Sequence, residues 1–278
     1  MSALTLDAIA GKICKLPALP AVVMDLLASL ADEDLDIDVL SKKITLDQVL
    51  TAKTLKVANS SFYGMPRQVA TVAQAIAVLG FQTVRNLVTT AAMVSGVPAN
   101  AQSRFNMLHF WRHSIGTAVC ANAIASELGE HQGAAYTAGL LHDIGRLVLA
   151  TQFVAEYEQG ASYRSVHDCT SMAAEQTAMG VDHTVVGEML AQHWKFPQAI
   201  QVAIAQHHAP PLAGTLGLVV CVADAITHAL DLSGDEDDLV PQLALDSFKT
   251  LGLSDTALLH VFHACETDFE KACLVLST

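Results

Sequence analysis

The sequence predicts an all-α protein built around a large helical core. Apolar residues recur at helical spacing along most of the 278-residue chain, and no segment alternates apolar and polar residues as a half-buried strand does. Helix-capping residues and glycine stop signals divide the chain into segments of helical length. Apolar residues make up 52% of the chain and charged residues only 15%, so the core can be large without disulfide bonds.

Five helices joined by short links are predicted in the N-terminal third of the chain. Asp36 or Asp38 can cap the second helix, because a short acidic side chain accepts hydrogen bonds from the first free backbone amides. Asp47 and Thr71 can cap the third and fourth helices in the same way, and Gly80 ends the fourth. The predicted helices span residues 19–30, 36–44, 47–58, 71–79 and 83–96.

Eight further helices are predicted in the rest of the chain. Gly129 ends the first of them, and Asp168 and Asp182 are in position to cap two others. Prolines at 210 and 211 end the helix that carries His207 and His208. The predicted helices span residues 105–128, 132–146, 168–180, 182–194, 197–208, 216–230, 240–251 and 254–276.

A short polar segment suggests how the chain is divided. Residues 98–104 are small and polar and form the best linker candidate. They separate an N-terminal helical subdomain, residues 1–97, from a helical core with C-terminal helices, residues 98–278. The N-terminal helices carry apolar faces that they cannot bury among themselves, so we expect both parts to pack as one compact unit.

Two polar residues stand inside the apolar stretch 138–146. His142 and Asp143 follow Leu140 and Leu141, and Gly145 offers a helix stop signal. Burying an ionised carboxylate without a partner is very costly, and a divalent cation would satisfy both the imidazole and the carboxylate. The alternative is a histidine–aspartate pair hydrogen-bonded to the backbone at the end of a helix.

Other histidines and one aspartate are embedded in apolar helical frames in the same way. In chain order, the set reads His113, His142, Asp143, His183, His207, His208 and Asp224. His183 follows the predicted cap Asp182, and a helix N-terminus favours a neutral imidazole, which is the form that binds metals. Of the remaining histidines, we expect His193 and His228 to pack or to hydrogen-bond locally. We expect His131, His167, His260 and His263 to lie on the surface or in loops.

This order of histidines and aspartates resembles that of the HD superfamily of metal-dependent phosphohydrolases and of its HD-GYP branch. The N-terminal half is more similar to the HDOD family, the HD-related output domain of bacterial signalling proteins. The resemblance extends from Leu16 to Pro211. The motifs that carry it are Leu16–Pro20 (LPALP), Val57–Gly64 (VANSSFYG), Leu79–Leu87 (LGFQTVRNL), Phe110–Ser114 (FWRHS), Gly180–His183 (GVDH) and His193–Pro197 (HWKFP).

The resemblance implies an HD-like helical core with an N-terminal helical subdomain, and one or two divalent metal ions (Fe, Mn, Zn, Ni or Mg). It implies a first metal held by His113, His142, Asp143 and Asp224. It implies a second metal held by His183, His207 and His208. In an active enzyme Asp143 and Arg146 would be catalytic, with Arg146 holding a phosphate oxygen.

The chain departs from the HD-GYP pattern at three places. The segment directly after His208, residues 209–214 (APPLAG), contains neither an acidic residue nor the GYP tripeptide. Arg146 replaces a lysine, and His109 stands where those enzymes often carry a glutamate. We therefore expect a regulatory output module that responds to signalling proteins or to a small phosphorylated ligand. The alternative is a metal-dependent phosphohydrolase acting on a nucleotide or another phosphoester.

Composition excludes several other classes of protein. The net charge of −13 disfavours non-specific binding to nucleic acid, which requires cationic groups against phosphates. The longest apolar run, residues 216–223, is too short to span a bilayer, and the N-terminus lacks the pattern of a signal peptide. None of the six cysteines forms a CxxC pair, which indicates reduced thiols and a cytoplasmic protein.

Overall fold

The computed structural model describes residues 3–28, 37–65, 67–96, 105–209, 214–235 and 245–277. In these residues the chain forms α-helices and one short 3₁₀-helix, with no strand, which confirms the all-α prediction. The first six helices are α1 (Leu6–Ile13), α2 (Ala21–Ala28), α3 (Ile37–Leu46), α4 (Gln48–Ala58), α5 (Val72–Leu79) and α6 (Phe81–Gly96). The next six are α7 (Met107–Leu128), α8 (Gln132–Leu141), α9 (Ile144–Gln152), α10 (Val154–His167), α11 (Ser171–Met179) and α12 (His183–His193). The last are α13 (Gln198–Gln206), α14 (Gly214–Ala229), α15 (Leu245–Leu251), α16 (Asp255–Cys273) and the 3₁₀-helix Leu274–Ser277.

Several predicted caps begin or end helices as expected. Asp47 accepts hydrogen bonds from the amides of Val49 and Leu50 at the start of α4. Thr71 caps α5 and Asp182 caps α12 in the same manner. Gly129 ends α7 in the left-handed region, at φ 68°, where a residue with a side chain would be strained.

The helix predicted over residues 132–146 is wrong, because the chain turns in its middle. Helix α8 ends at Leu141, His142 and Asp143 form the turn, and α9 begins at Ile144. Gly145 is therefore not a stop signal but lies in the first turn of α9. It allows α9 to approach the backbone of α12, since a Cβ atom at Gly145 would meet the carbonyl of His183 and lie 2.6 Å from the nitrogen of Gly187.

The predicted cap at Asp168 is also wrong. Asp168 adopts the left-handed conformation, φ 47°, and ends α10, while Thr170 caps α11 by accepting from the amide of Ala173. An aspartate tolerates this conformation better than most residues, so the same residue type can mark either end of a helix. Helices α1, α9 and α10 were not predicted. In α10 only Gly160 is fully buried, so the helix lacks the apolar stripe that would have revealed it.

Some predicted features lie outside the described residues. These are the linker at residues 98–104, the cap at Asp36, the prolines at 210 and 211, and the start of the helix predicted at 240. The division of the chain at residues 97 and 98 therefore stays a prediction.

The long helix α7 forms the centre of the core. It packs against α8, α14 and α16, and more than half of its residues are buried. Helix α12 packs against α9 and α13. The N-terminal helices join this core where α6 packs against α8 and where α1 packs against α12. None of the helices that the structure describes has the length and apolar content needed to cross a bilayer.

Candidate metal centre

The structure brings all seven predicted ligand residues together where five elements meet. His113 comes from α7, His142 and Asp143 from the turn between α8 and α9, and His183 from the first turn of α12. His207 and His208 follow the end of α13, and Asp224 comes from α14. All are buried except His208, which lies at the solvent-exposed side of the cluster.

Close helix packing makes this convergence possible. A Cβ atom at Gly139 of α8 would lie 2.7 Å from the carbonyl oxygen of Thr117 and 2.9 Å from Cα of Ala118, both in α7. The absence of a side chain therefore lets the end of α8 lie directly on α7. This contact places His142 next to His113, and Gly145 has the same effect between α9 and α12.

The first ligand group consists of His113, His142 and Asp224. Oδ1 of Asp224 lies 3.1 Å from Nε2 of His113 and 3.6 Å from Nε2 of His142. The two imidazole Nε2 atoms are 3.2 Å apart. His228, which was expected to pack or to hydrogen-bond locally, lies one turn after Asp224, with its Nε2 3.3 Å from the same carboxylate oxygen.

The second group consists of Asp143, His183, His207 and His208. Oδ1 of Asp143 lies 3.3 Å from Nε2 of His183 and 3.6 Å from Nε2 of His207. The Nε2 atoms of His183 and His208 are 3.1 Å apart. Asp143 therefore groups with the later histidines, although the same oxygen is also 3.8 Å from Nε2 of His142 and so joins the two groups.

Hydrogen bonds on the outer side of three imidazoles determine which nitrogen faces the centre. Nδ1 of His142 donates to the carbonyl oxygen of Gly139 at 2.7 Å, and Nδ1 of His207 donates to that of Ile204 at 2.9 Å. Nδ1 of His183 donates to the carboxylate of Glu175 at 2.6 Å. Because these acceptors occupy the Nδ1 proton, each neutral imidazole presents the Nε2 lone pair to the cluster.

A divalent cation fits this set of donor atoms. Oδ1 of Asp224 and Nε2 of His207 are buried and make no well-formed hydrogen bond. Two pairs of Nε2 atoms face each other, and in the neutral rings of His142 and His183 these atoms carry lone pairs rather than protons. Buried atoms such as Oδ1 of Asp224 and Nε2 of His207 are rarely left without a partner, whereas cations bind such atoms directly. The many imidazoles suit a transition metal better than Mg²⁺, which prefers oxygen ligands.

The electrostatics of the cluster keep both carboxylates ionised. Burial alone would raise the pKa of Asp143, but His142, Arg146 and His183 outweigh burial and hold this pKa well below its usual range. At Asp224, burial would also raise the pKa, but contacts with His113, His142 and His228 outweigh burial and hold this pKa well below its usual range. Both carboxylates are therefore ionised at neutral pH. Glu175 and Asp143 outweigh burial and raise the pKa of His183 to about 9, so a cation that binds this ring would displace its proton.

Arg146 lies beside the second group. Its Nη1 donates to Oδ2 of Asp143 at 2.8 Å, the oxygen that faces away from the histidines. Its side chain is 19% exposed. Arg146 can therefore hold Asp143 in place and still offer donors to an anion.

Sequence reasoning missed Glu175, a buried residue of α11. Its carboxylate accepts from both the backbone amide and Nδ1 of His183, at 2.9 and 2.6 Å. The available signal was a single acidic residue among the apolar positions Ala174, Ala178 and Met179 of one helix.

Other polar residues lie outside the cluster. Nδ1 of His109 is 3.9 Å from Asp235 and does not reach the ligands. Asn59 bonds the backbone of Leu55 and Val69, as expected of a helix end. The histidines at 131, 167, 260 and 263 are exposed, as predicted.

A family model described as "HDOD domain" matches residues 16–210. An HDOD domain protein of unknown function from Geobacter sulfurreducens is 25% identical, with a TM-score of 0.80 and 98% of each chain covered. A proposed phosphohydrolase from Shewanella amazonensis is also 25% identical, with a TM-score of 0.75. The match covers 96% of this chain and 97% of that chain. A proposed signal transduction protein from Marinobacter aquaeolei has the same fold, with 21% identity and a TM-score of 0.81. The match covers all of this chain and 62% of that chain.

The chain spans less than half the length of the curated relatives that it matches. It is 23% identical to an uncharacterized protein of Treponema pallidum, over 74% of this chain and 40% of that protein. It is 33% identical to a ribonuclease Y of Thermus thermophilus, over 42% of this chain and 16% of that enzyme.

Proposed function

The chain belongs to the HDOD family, and we propose that it is a bacterial signalling module whose output state depends on a divalent metal centre at His142 and Asp143. The observation that supports this proposal most strongly is the arrangement of His142, His183 and His207. Each ring donates its Nδ1 proton outward and directs Nε2 at a buried carboxylate. This is how proteins orient imidazoles that bind metals.

The proposed ligands follow the two groups of the structure. His113, His142 and Asp224 would hold one ion, and Asp143, His183, His207 and His208 would hold the other. The ligands come from α7, α12 and α14 and from the segments that follow α8 and α13. A bound ion would therefore lock these elements together, and its loss would loosen them. The surface of the protein would then differ between the metal-bound and metal-free states, and a partner protein could bind one state in preference to the other.

A second candidate function is metal-dependent hydrolysis of a phosphoester. Two adjacent ligand groups joined by Asp143 favour it, as does the partly exposed guanidinium of Arg146. A bound divalent metal supplies a water of lowered pKa and polarises a phosphoryl oxygen. Arg146 would hold a phosphate oxygen beside Asp143. The likeness to a proposed phosphohydrolase supports this candidate, and the missing GYP tripeptide after His208 opposes it.

A hydrolysis assay separates the two candidates. We expect the full chain, loaded with Mn²⁺, Fe²⁺ or Zn²⁺, to release no more product than its Asp143→Asn variant. The substrates are bis(p-nitrophenyl) phosphate, nucleoside monophosphates and a cyclic dinucleotide. Fast metal-dependent turnover that Asp143→Asn abolishes would contradict the signalling proposal and support the hydrolase.

Glu175 provides a test of how the ligands are oriented. We expect Glu175→Gln to lower metal affinity about 10- to 100-fold, because the amide no longer accepts a charge-assisted bond from Nδ1 of His183. Isothermal titration with Zn²⁺ measures this change. Glu266→Gln on the exposed side of α16 is the matched control and should bind like the parent chain. Equal affinity of the Glu175 variant would show that this contact does not position a ligand.

A further inference from the structure

Arg85, in α6, is a buried cation without a counter-ion. It is 7% exposed, and among the described residues no carboxylate forms an ion pair with it and no oxygen accepts a hydrogen bond from it. Burial lowers the pKa of this guanidinium, and no neighbouring acid counteracts the effect. An arginine nevertheless stays ionised in a protein, and burying an unpaired charge is very costly. The charge of Arg85 is therefore one that an external anion could balance.

The guanidinium of Arg85 is closed on one side and open on the other. Nη2 is inaccessible to solvent and packs on Gly133 in the first turn of α8, where a Cβ atom would lie 2.9 Å from it. Nε and Nη1 also lack an acceptor, but unlike Nη2 they are not sealed from solvent. An anion can therefore reach these two nitrogens from the surface without entering the interior.

The start of α8 supplies further donors at the same place. The N-cap residue His131 makes no side-chain hydrogen bond to the helix, so it leaves the first free amides open. His131 and Gln132 are exposed, so this end of the helix faces solvent. Glu130, the nearest acid along the chain, is exposed and does not pair with Arg85. Because the amino end of a helix carries a partial positive charge, it favours an anion next to this guanidinium.

These donors fit a phosphate group better than a carboxylate. Arginine side chains and the free amides at the start of a helix are both groups that bind phosphate in proteins. The terminal oxygens of a phosphate point in different directions, so they can meet Arg85 and the start of α8 together. The oxygens of a carboxylate lie in one plane and satisfy one of these partners at a time.

We propose that Arg85 and the first turn of α8 bind inorganic phosphate or the phosphate group of a small monoester. The phosphate would contact two helices that already pack against each other, α6 of the predicted N-terminal subdomain and α8 of the core. Its binding would therefore strengthen the contact between the two parts of the chain.

This phosphate site is separate from the proposed metal centre. Gly133 lies nine residues before His142 and hence about 13 Å away along the axis of α8. None of the proposed metal ligands lies in α6 or in the first turn of α8. The inference does not rest on bound metal, and the test uses protein from which metal has been removed with EDTA.

Thermal unfolding of the full chain in sodium chloride and in sodium phosphate, at equal pH and ionic strength, tests the proposal. We expect phosphate to raise the unfolding midpoint of the parent chain more than that of Arg85→Met, which removes the charge but keeps a long side chain. Arg67→Met removes an exposed arginine and is the matched control, so it should respond like the parent. Phosphate also stabilises proteins by exclusion from their surface, and this general effect should be equal in all three chains.

Two further measurements sharpen the test. In chloride, Arg85→Met should be at least as stable as the parent, because it replaces an unpaired buried charge by an apolar group. Calorimetric titration with inorganic phosphate should show binding about tenfold or more weaker in Arg85→Met, since a charge-assisted contact is lost. Glycerol 3-phosphate in the same titration identifies the source: equal affinity indicates a monoester site, and loss of binding indicates a site for free phosphate.

Three results would overturn the proposal. The first is that the parent chain shows no saturable binding of phosphate by calorimetry. The second is that phosphate shifts the midpoints of the parent and of Arg85→Met equally, which would show that Arg85 acts through packing alone. The third is that sodium acetate gives an Arg85-dependent shift as large as that of phosphate, which would assign the site to a carboxylate. If Arg85→Met has no cooperative transition, the neutral variant Arg85→Gln takes its place under the same criteria.

Discussion

Replacing Gly145 by alanine is expected to destabilise the protein by about 3 kcal/mol or more. The added Cβ atom would meet the carbonyl of His183 and approach the backbone nitrogen of Gly187 at 2.6 Å. Both are backbone atoms of α12 that cannot rotate away, so α9 and α12 must separate, and overpacking of this kind costs 1–3 kcal/mol and occasionally more. The midpoint and slope of urea-induced unfolding measure the loss.

Gly11→Ala is the matched control for this substitution. Gly11 lies within α1, as Gly145 lies within α9, but a Cβ atom there would have no neighbour within 4 Å. Alanine favours a helix over glycine by about 0.5–1 kcal/mol, so this variant should be slightly more stable than the parent chain. A Gly145→Ala variant that behaved like Gly11→Ala would show that α9 and α12 are not in backbone contact.

Asp143→Asn is expected to remove metal from both ligand groups. Oδ1 of Asp143 lies within 4 Å of Nε2 of His142, His183 and His207, so the carboxylate supplies charge to both groups. Asp224→Asn should empty only the group formed with His113 and His142. Elemental analysis after dialysis against metal-free buffer measures the metal retained per chain by each variant.

His109→Ala is the control for this pair of variants. His109 lies one turn before His113 on α7 but pairs with Asp235 outside the cluster, so its removal should leave the metal content unchanged. Full metal content in Asp143→Asn would contradict the role given to this carboxylate. Loss of all metal in Asp224→Asn would show that the two groups do not bind independently.

Local chemistry explains which parts of the fold could be predicted from the sequence. Asp47, Thr71 and Asp182 cap helices through bonds to amides two or three residues away, so the neighbouring sequence contains the whole signal. The ligand residues were recognisable because polar side chains inside apolar helical frames must find partners. A resemblance to a known family then implied a grouping that placed Asp143 with His113, His142 and Asp224, whereas the structure groups Asp143 with His183, His207 and His208.

The features that were missed depend on contacts between distant segments. The sequence around Gly145 predicts a helix stop. Only the position of α12 shows that Gly145 permits α9 to pack closely against α12. Asp168 can cap a helix or end one in the left-handed conformation, and the local sequence does not distinguish the two. Glu175 acquires its role only because the fold places it against His183. Tertiary packing, rather than local preference, decides each of these cases.

We propose that the buried cluster around His142 and Asp143 holds divalent metal. The most direct test is anomalous X-ray scattering from crystals of the full chain, grown from protein expressed in medium supplemented with Fe, Mn, Zn and Ni. We expect an anomalous peak between Nε2 of His142 or His183 and the carboxylate of Asp224 or Asp143, with at least one ion per chain. Absence of any peak there, with the imidazole nitrogens instead bonded to one another or to water, would contradict the proposed metal centre.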